Sequence, residues 1–194
     1  ELEQPIDLKW PGYLILASDP QNVTEFRHNI ALQNQLGVPT RWISAAEVAA
    51  MIPLIDSRGI LGASWHAGDG LADPNSVVQG YVKGARRLGA RLFTDTPVHG
   101  IRTAGGRVQG VDTPLGSIST HHVVNAAGPW AALVGEMAEL CIPVVPVRRQ
   151  IVVTTPLSQI PPDFPFVIDF AQSLYYHREG EGILTGMSNP GEPS

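Results

Sequence analysis

Val123-Val124-Asn125-Ala126-Ala127-Gly128-Pro129-Trp130-Ala131 is the stretch on which the reading of this 194-residue chain turns. Apolar residues open it, small residues close it, and a proline follows. The pattern predicts a buried strand over residues 123–128 and a helix opened by Pro129 and running to about Leu140. A helix starting there directs free N–H groups and its positive dipole end at the turn, which favours an anion such as a pyrophosphate. Gly128 has no Cβ to block such a group. The same residues also suit a tight strand-to-helix turn in which small side chains serve packing alone.

The segments on either side give an α/β pattern. Residues 13–17 (YLILA) read as a buried strand, and residues 22–36 as a helix carrying Val23, Phe26, Ile30 and Leu36, stopped by Gly37. Ser44 and Glu47 form a capping box for a short helix over 45–51 that ends before Pro53. Asp73-Pro74 caps and opens a further helix with Val77, Val78, Tyr81, Ala85 and Leu88 on one face and Gly89 at its end. A strand is expected over 91–94. Three more form a β-meander: 98–103, then 107–112 across Gly105-Gly106, then 117–121 after Pro114-Leu115-Gly116. Beyond the opening stretch, a long strand over 144–155 and, after proline-rich loops, strands over 166–169, 174–177 and 183–185 complete the pattern.

Composition bounds the function. Hydrophobic residues at 43% support a core, while Gly 20 and Pro 17 imply many turns and short helices. A net charge of −5 excludes a protein that grips nucleic-acid phosphates; the densest basic pairs are only Arg86-Arg87 and Arg148-Arg149. Trp10, Trp42, Trp65 and Trp130 are dispersed and build no stacking ladder. The single cysteine, Cys141, allows no internal disulfide, which fits a reducing compartment, and reads as a buried, inert thiol after an apolar helix rather than as the partner of His121 or His122. His121 and His122 are adjacent on a strand and face opposite sides, so they do not chelate one ion. His66, Asp69 and Asp73 match no standard metal spacing, and no metal is expected. Of Arg148 and Arg149, one is expected to face inward, either toward a ligand or toward a structural acid. No apolar run reaches a membrane-span length. The start at Glu1 without methionine and the end at residues 189–194 in mid-loop read as cut ends.

The order of these elements, taken with particular residues, resembles the D-amino-acid oxidase superfamily of FAD enzymes. It is most similar to the branch of sarcosine oxidase beta subunits and dimethylglycine dehydrogenases. The matching stretches are Gly68-Asp69-Gly70 with Ala72-Asp73-Pro74, Val77-Val78-Gln79-Gly80-Tyr81, Gly110-Val111 with Thr113, the opening stretch through Trp130, Pro146-Val147-Arg148-Arg149-Gln150, and Tyr175-Tyr176 before Gly182-Ile183-Leu184.

The resemblance implies a mixed α/β fold made of part of a Rossmann-like FAD-binding domain with its meander (72–140) and a mixed-sheet substrate domain contributed by 1–71 and 141–194. It places Val98 against the adenine of FAD, and Ala126, Ala127, Gly128 and nearby Trp130 against the nucleotide. It matches Tyr175 to a tyrosine that holds the substrate carboxylate; strand alternation puts Tyr175 with His177 and Tyr176 with Arg178, so Tyr176 is the alternative if the register is off by one. The implied reaction is FAD-dependent oxidation of the C–N bond of an amine or amino acid (sarcosine, dimethylglycine, glycine or a D-amino acid). The family's opening G-x-G-x-x-G turn and its carboxylate-binding arginine are not found in this sequence. The expectation is therefore FAD in the complete protein but not on this chain alone. The other reading is a non-catalytic structural or interaction fragment. Expected partners are a small amine or amino acid and either the rest of the parent protein or a second copy. The expected location is the cytoplasm, or the mitochondrial matrix in a eukaryote.

Overall fold

The computed structural model describes residues 3–187; the loop expected at 189–194 lies outside the described residues. The chain divides into two compact units. Of the described residues, one unit comprises 3–81 with 149–187, the other Val82–Arg148.

The first unit is built on a seven-stranded mixed sheet. Its strands are β1 (Tyr13–Ala17), β2 (Arg41–Ser44), β3 (Gly62–His66), β7 (Gln150–Val153), β8 (Phe166–Asp169), β9 (Leu174–Glu179) and β10 (Gly182–Met187), in the order β2-β3-β1-β8-β9-β10-β7. β1 and β8 pair in parallel, with Tyr13 opposite Phe166; the other pairs are antiparallel. Alternation along β1 sends Leu14 and Leu16 to one face, where Ile43, Ala63 and Val167 join them. Val48 and Ile52, and Phe164 from the proline-rich loop before β8, cover that face and close the core.

Caps expected from sequence set two of the helices. α2 runs Ala45–Met51, and Glu47 Oε2 accepts from the Ser44 amide at 2.8 Å while Ser44 Oγ accepts from the Glu47 amide at 3.3 Å. α3 runs Pro74–Arg87, and Asp73 Oδ2 accepts from the Ser76 amide at 2.9 Å. α1 spans Pro20–Gln35 rather than starting at residue 22, because Asp19-Pro20 repeats the Asp73-Pro74 device: Asp19 Oδ1 accepts from the Gln21 amide at 2.9 Å. It ends as the Val38 amide donates back to the Gln33 carbonyl at 2.8 Å. β2 and β3 carry no strong strand pattern in the sequence. β3, Gly-Ala-Ser-Trp-His, has low strand propensity and is held because it lies between two partners.

The second unit holds the expected meander, as β4 (Gly100–Ala104), β5 (Arg107–Thr113) and β6 (Gly116–Ser119). Gly105 and Gly106 both have positive φ, +56° and +71°, as a two-residue hairpin turn of this hand requires.

Two expected strands do not form and a third is shortened. Residues 91–94 and 123–128 pair with nothing among the described residues, and Val124 is 90% exposed. The segment expected over 144–155 is extended and paired only at Gln150–Val153, since Pro146 has no N–H to give a ladder. The helix expected to reach Leu140 is shorter. A 3-10 turn, Gly128–Trp130, leads into α4 (Ala131–Glu136), and Glu139 at φ +58° turns the chain back so that the Leu140 amide bonds the Gly135 carbonyl at 3.0 Å, and with the helix cut short Cys141 is exposed rather than buried. No helix among the described residues is long and apolar enough to cross a membrane.

Leu14 is fully buried and Val152, on the edge strand β7, is 58% exposed. Leu14→Ala is expected to cost about 3 kcal/mol of stability and Val152→Ala under about 1 kcal/mol. Urea denaturation of the two variants checks the difference.

Candidate functional site

Alternation divides the aromatic residues of β1, β8 and β9 between the two faces of the sheet. On the face opposite the core, Tyr13 stacks on Phe166 with ring centroids 4.5 Å apart and planes within 2°. Phe166 in turn stacks on His177 at 4.9 Å and on Tyr175 at 5.9 Å. Tyr175 pairs across β10 with Gly186, and its phenol lies over that glycine in the space a Cβ would fill. The carbonyl of Tyr175 accepts from Thr185 Oγ1 at 2.9 Å. His177 Nδ1 lies 2.9 Å from the Arg178 carbonyl, to which it donates. The result is a half-buried aromatic slab with hydroxyl and imidazole groups.

Further across the same face, β3 brings His66 opposite Tyr13, and His66 Nδ1 lies 3.1 Å from Asp69 Oδ1. The Tyr13 phenol is held above its ordinary pKa by burial first and by the Asp69 charge second. α1 covers the part of this face near β2: Phe26 packs edge-on against Trp42, and a cavity of about 310 Å³ lies beside Ile15, Asn29, Gln33 and Phe170.

Tyr176 sits apart from this surface. It packs against Phe164 and the core on the other side of the sheet, where burial, and then the buried Asp169 carboxylate, pushes its phenol up to about 12. Asp169 itself is held by the turn after β8. It accepts from the amides of Ala171 and Gln172 at 3.0 and 3.2 Å and from Gln172 Nε2 at 2.6 Å. The two adjacent tyrosines thus have different surroundings, and the open one is Tyr175. Sequence reasoning missed Tyr13, Phe166 and Gly186. Tyr13 and Phe166 were legible only as strand residues, and their meeting depends on the parallel β1–β8 pair.

The small-residue stretch is a built turn rather than a strand end. Asn125 ties it from both sides, accepting from the Ala127 amide at 3.2 Å and donating from Nδ2 to the Ala131 carbonyl at 2.9 Å. Gly128 has φ +53°, and a Cβ added there would meet no atom within 4 Å, so the space above it is open. Ala126 and Trp130 are exposed, the latter at 65%, and Ala127 is half-buried. Val98 lies just before β4, 37% exposed. No group of three or more potential metal ligands occurs among the described residues.

The model of FAD dependent oxidoreductases (DAO) matches residues 1–193, and the chain belongs to that family. The chain is 32% identical over 189 residues to the mitochondrial dimethylglycine dehydrogenase of Homo sapiens, covering 96% of this chain and 22% of that protein. To the sarcosine oxidase subunit beta of Rhodobacter capsulatus it is 31% identical over 151 residues, 76% of this chain and 36% of that one. Among solved structures, L-proline dehydrogenase from P. horikoshii matches with a TM-score of 0.87 and 35% identity, over 95% of this chain and 50% of that chain. The chain therefore spans about a fifth to a third of these curated relatives.

The neutral Tyr176 phenol is the form that the fold favours. An unfolded chain gives up this proton near the ordinary value of 10.0, the folded one only near about 12. Tyr176 thus contributes stability that is whole below about pH 10 and declines as pH rises toward 12. Denaturation midpoints of wild type and Tyr176→Phe across this range check it: the fall should be shallower in the variant.

Proposed function

We propose that the complete protein is an FAD-dependent oxidoreductase acting on the C–N bond of a small amine or amino acid, with the seven-stranded sheet (from 1–71 and 141–194) as its substrate side and 72–140 as its cofactor side. The observation that carries this reading is Tyr175, set on the open face of the sheet of a DAO-family chain with aromatic walls around it. Relatives named for dimethylglycine, sarcosine and L-proline support a substrate that is a secondary or tertiary amino acid.

In this reading the Tyr175 hydroxyl donates to the substrate carboxylate. Phe166, Tyr13 and His177 form the dry wall beside it, holding the amine against water and in one orientation. The amine enters unprotonated, so no general base is assigned. Val98, Ala126, Ala127, Gly128 and Trp130 would hold FAD: the open space over Gly128 and the exposed small residues beside it fit a nucleotide lying against backbone. When bound, FAD supplies the acceptor for the hydride leaving the carbon next to nitrogen.

The chain alone is proposed not to retain FAD, because the glycine-rich G-x-G-x-x-G turn that binds the pyrophosphate is not found in its sequence. The partners proposed are a small amine or amino acid and the rest of the parent protein, or a second copy. The proposed location is the cytoplasm or, following the mitochondrial relative, the mitochondrial matrix.

The test is turnover of sarcosine, dimethylglycine, L-proline, glycine and D-amino acids by the complete, purified protein, with its absorbance in the flavin bands. Gly128→Val should lose flavin while keeping the fold by circular dichroism. Tyr175→Phe should keep the flavin and raise KM by about fivefold, the scale of losing one hydrogen bond worth about 1 kcal/mol. A protein without flavin and without turnover on any of these substrates overturns the assignment, and wild-type flavin content in Gly128→Val overturns the nucleotide role of the turn.

A further inference from the structure

We infer that Gly186 and Phe166 are positioning residues that set the direction of the Tyr175 hydroxyl from its two flanks; the inference rests on the reading of Tyr175 as the carboxylate-binding residue. On the β10 side, Tyr175 and Gly186 are a direct cross-strand pair. A Cβ at 186 would overlap the Tyr175 phenolic oxygen and would lie 2.5 Å from Cζ and 2.7 Å from Cε1. These are ring atoms, so the ring would have to swing away as a whole. Gly186 is buried, and its φ lies outside the left-handed region, so backbone conformation does not require glycine there. What requires it is the ring above.

On the β8 side, Phe166 is the diagonal neighbour of Tyr175, with ring centroids 5.9 Å apart and planes within 13°. Phe166 is itself fixed by Tyr13 on one side and His177 on the other. The Tyr175 ring therefore lies between a fixed aromatic wall and a strip of bare backbone. Aromatic side chains lying over strand glycines also serve stability, since the ring covers a gap in the sheet. A purely stabilising contact and a positioning one differ in what they do to substrate binding.

The experiment uses the complete flavoprotein and the amino acid it turns over fastest, comparing Gly186→Ala, Phe166→Leu, Tyr175→Phe, Tyr175→Ala, and each flank substitution combined with Tyr175→Ala. Displacing the hydroxyl loses the same hydrogen bond that Tyr175→Phe removes, so Gly186→Ala is expected to raise KM by about fivefold, with kcat within about twofold and flavin content unchanged. Phe166→Leu, which leaves the strand pairing and Gly186 intact, is expected to raise KM by about twofold to threefold. On the Tyr175→Ala background Gly186→Ala should not change KM further, and Phe166→Leu, which keeps its own place in the wall, should change it by less than it does beside an intact Tyr175.

Flank effects of equal size with and without the Tyr175 ring would overturn the inference, as would KM unchanged in both single flank variants or a loss of kcat together with flavin. Should Gly186→Ala not fold, Phe166→Leu alone decides between the same outcomes. The Tyr175 reading fails separately, if Tyr175→Phe leaves KM at the wild-type value.

Discussion

The parallel pairing of β1 with β8 holds the first unit together. It joins Tyr13–Ala17 to Phe166–Asp169 across most of the chain and makes one sheet from an early β2-β3-β1 group and a late β8-β9-β10-β7 group. Each face of this one ladder does different work. On one side Leu14, Leu16 and Val167 meet in the core, fully or nearly fully buried. On the other, Tyr13 and Phe166 stack at 4.5 Å and begin the aromatic slab that reaches Tyr175 and His177. A shift of one residue in this register would turn one strand over relative to the other, setting Tyr13 beside Val167 and Leu14 beside Ile168, so that neither the aromatic pair nor the apolar core would form whole. The stability of the sheet and the arrangement of the candidate site therefore depend on the same backbone hydrogen bonds.

Local signals in the sequence were sufficient wherever structure depends on neighbours a few residues away. The capping box at Ser44 and Glu47, the Asp73-Pro74 helix start and the Gly105-Gly106 hairpin each rest on contacts within about one turn of chain, and each formed as read. The face division of Tyr175 from Tyr176 was legible too, because strand alternation is a local property. The sequence did not reveal which strands meet. Nothing in YLILA marks β8 as its partner, and the low-propensity β3 was invisible because its neighbours, rather than its own residues, make it a strand.

The unpaired segments show the opposite error. Residues 91–94 and 123–128 have the apolar content of buried strands, but apolar content records a tendency to be covered and does not supply a partner ladder. Without one, Val124 stands almost wholly in solvent while Asn125 ties the backbone into a turn. The small residues beyond it keep their meaning: the open space at Gly128 follows from the glycine and its backbone angle, and depends on no long-range pairing.

The wide sequence separation of β1 and β8 also bears on how the protein is made. Tyr13 leaves the ribosome long before its partner Phe166 is synthesised. At about 5–20 residues per second, roughly 150 residues of delay leave one edge of β1 open for about 10–30 s. During that time Leu14 and Leu16 lack Val167 beside them, and the row of unpaired amides and carbonyls on β1 is a template for any extended chain nearby. Until β8 arrives, α2 covers part of the apolar face of the early β2-β3-β1 group through Val48. Slow translation or crowding of nascent chains should accordingly harm the yield of folded protein more than the sequence composition would suggest.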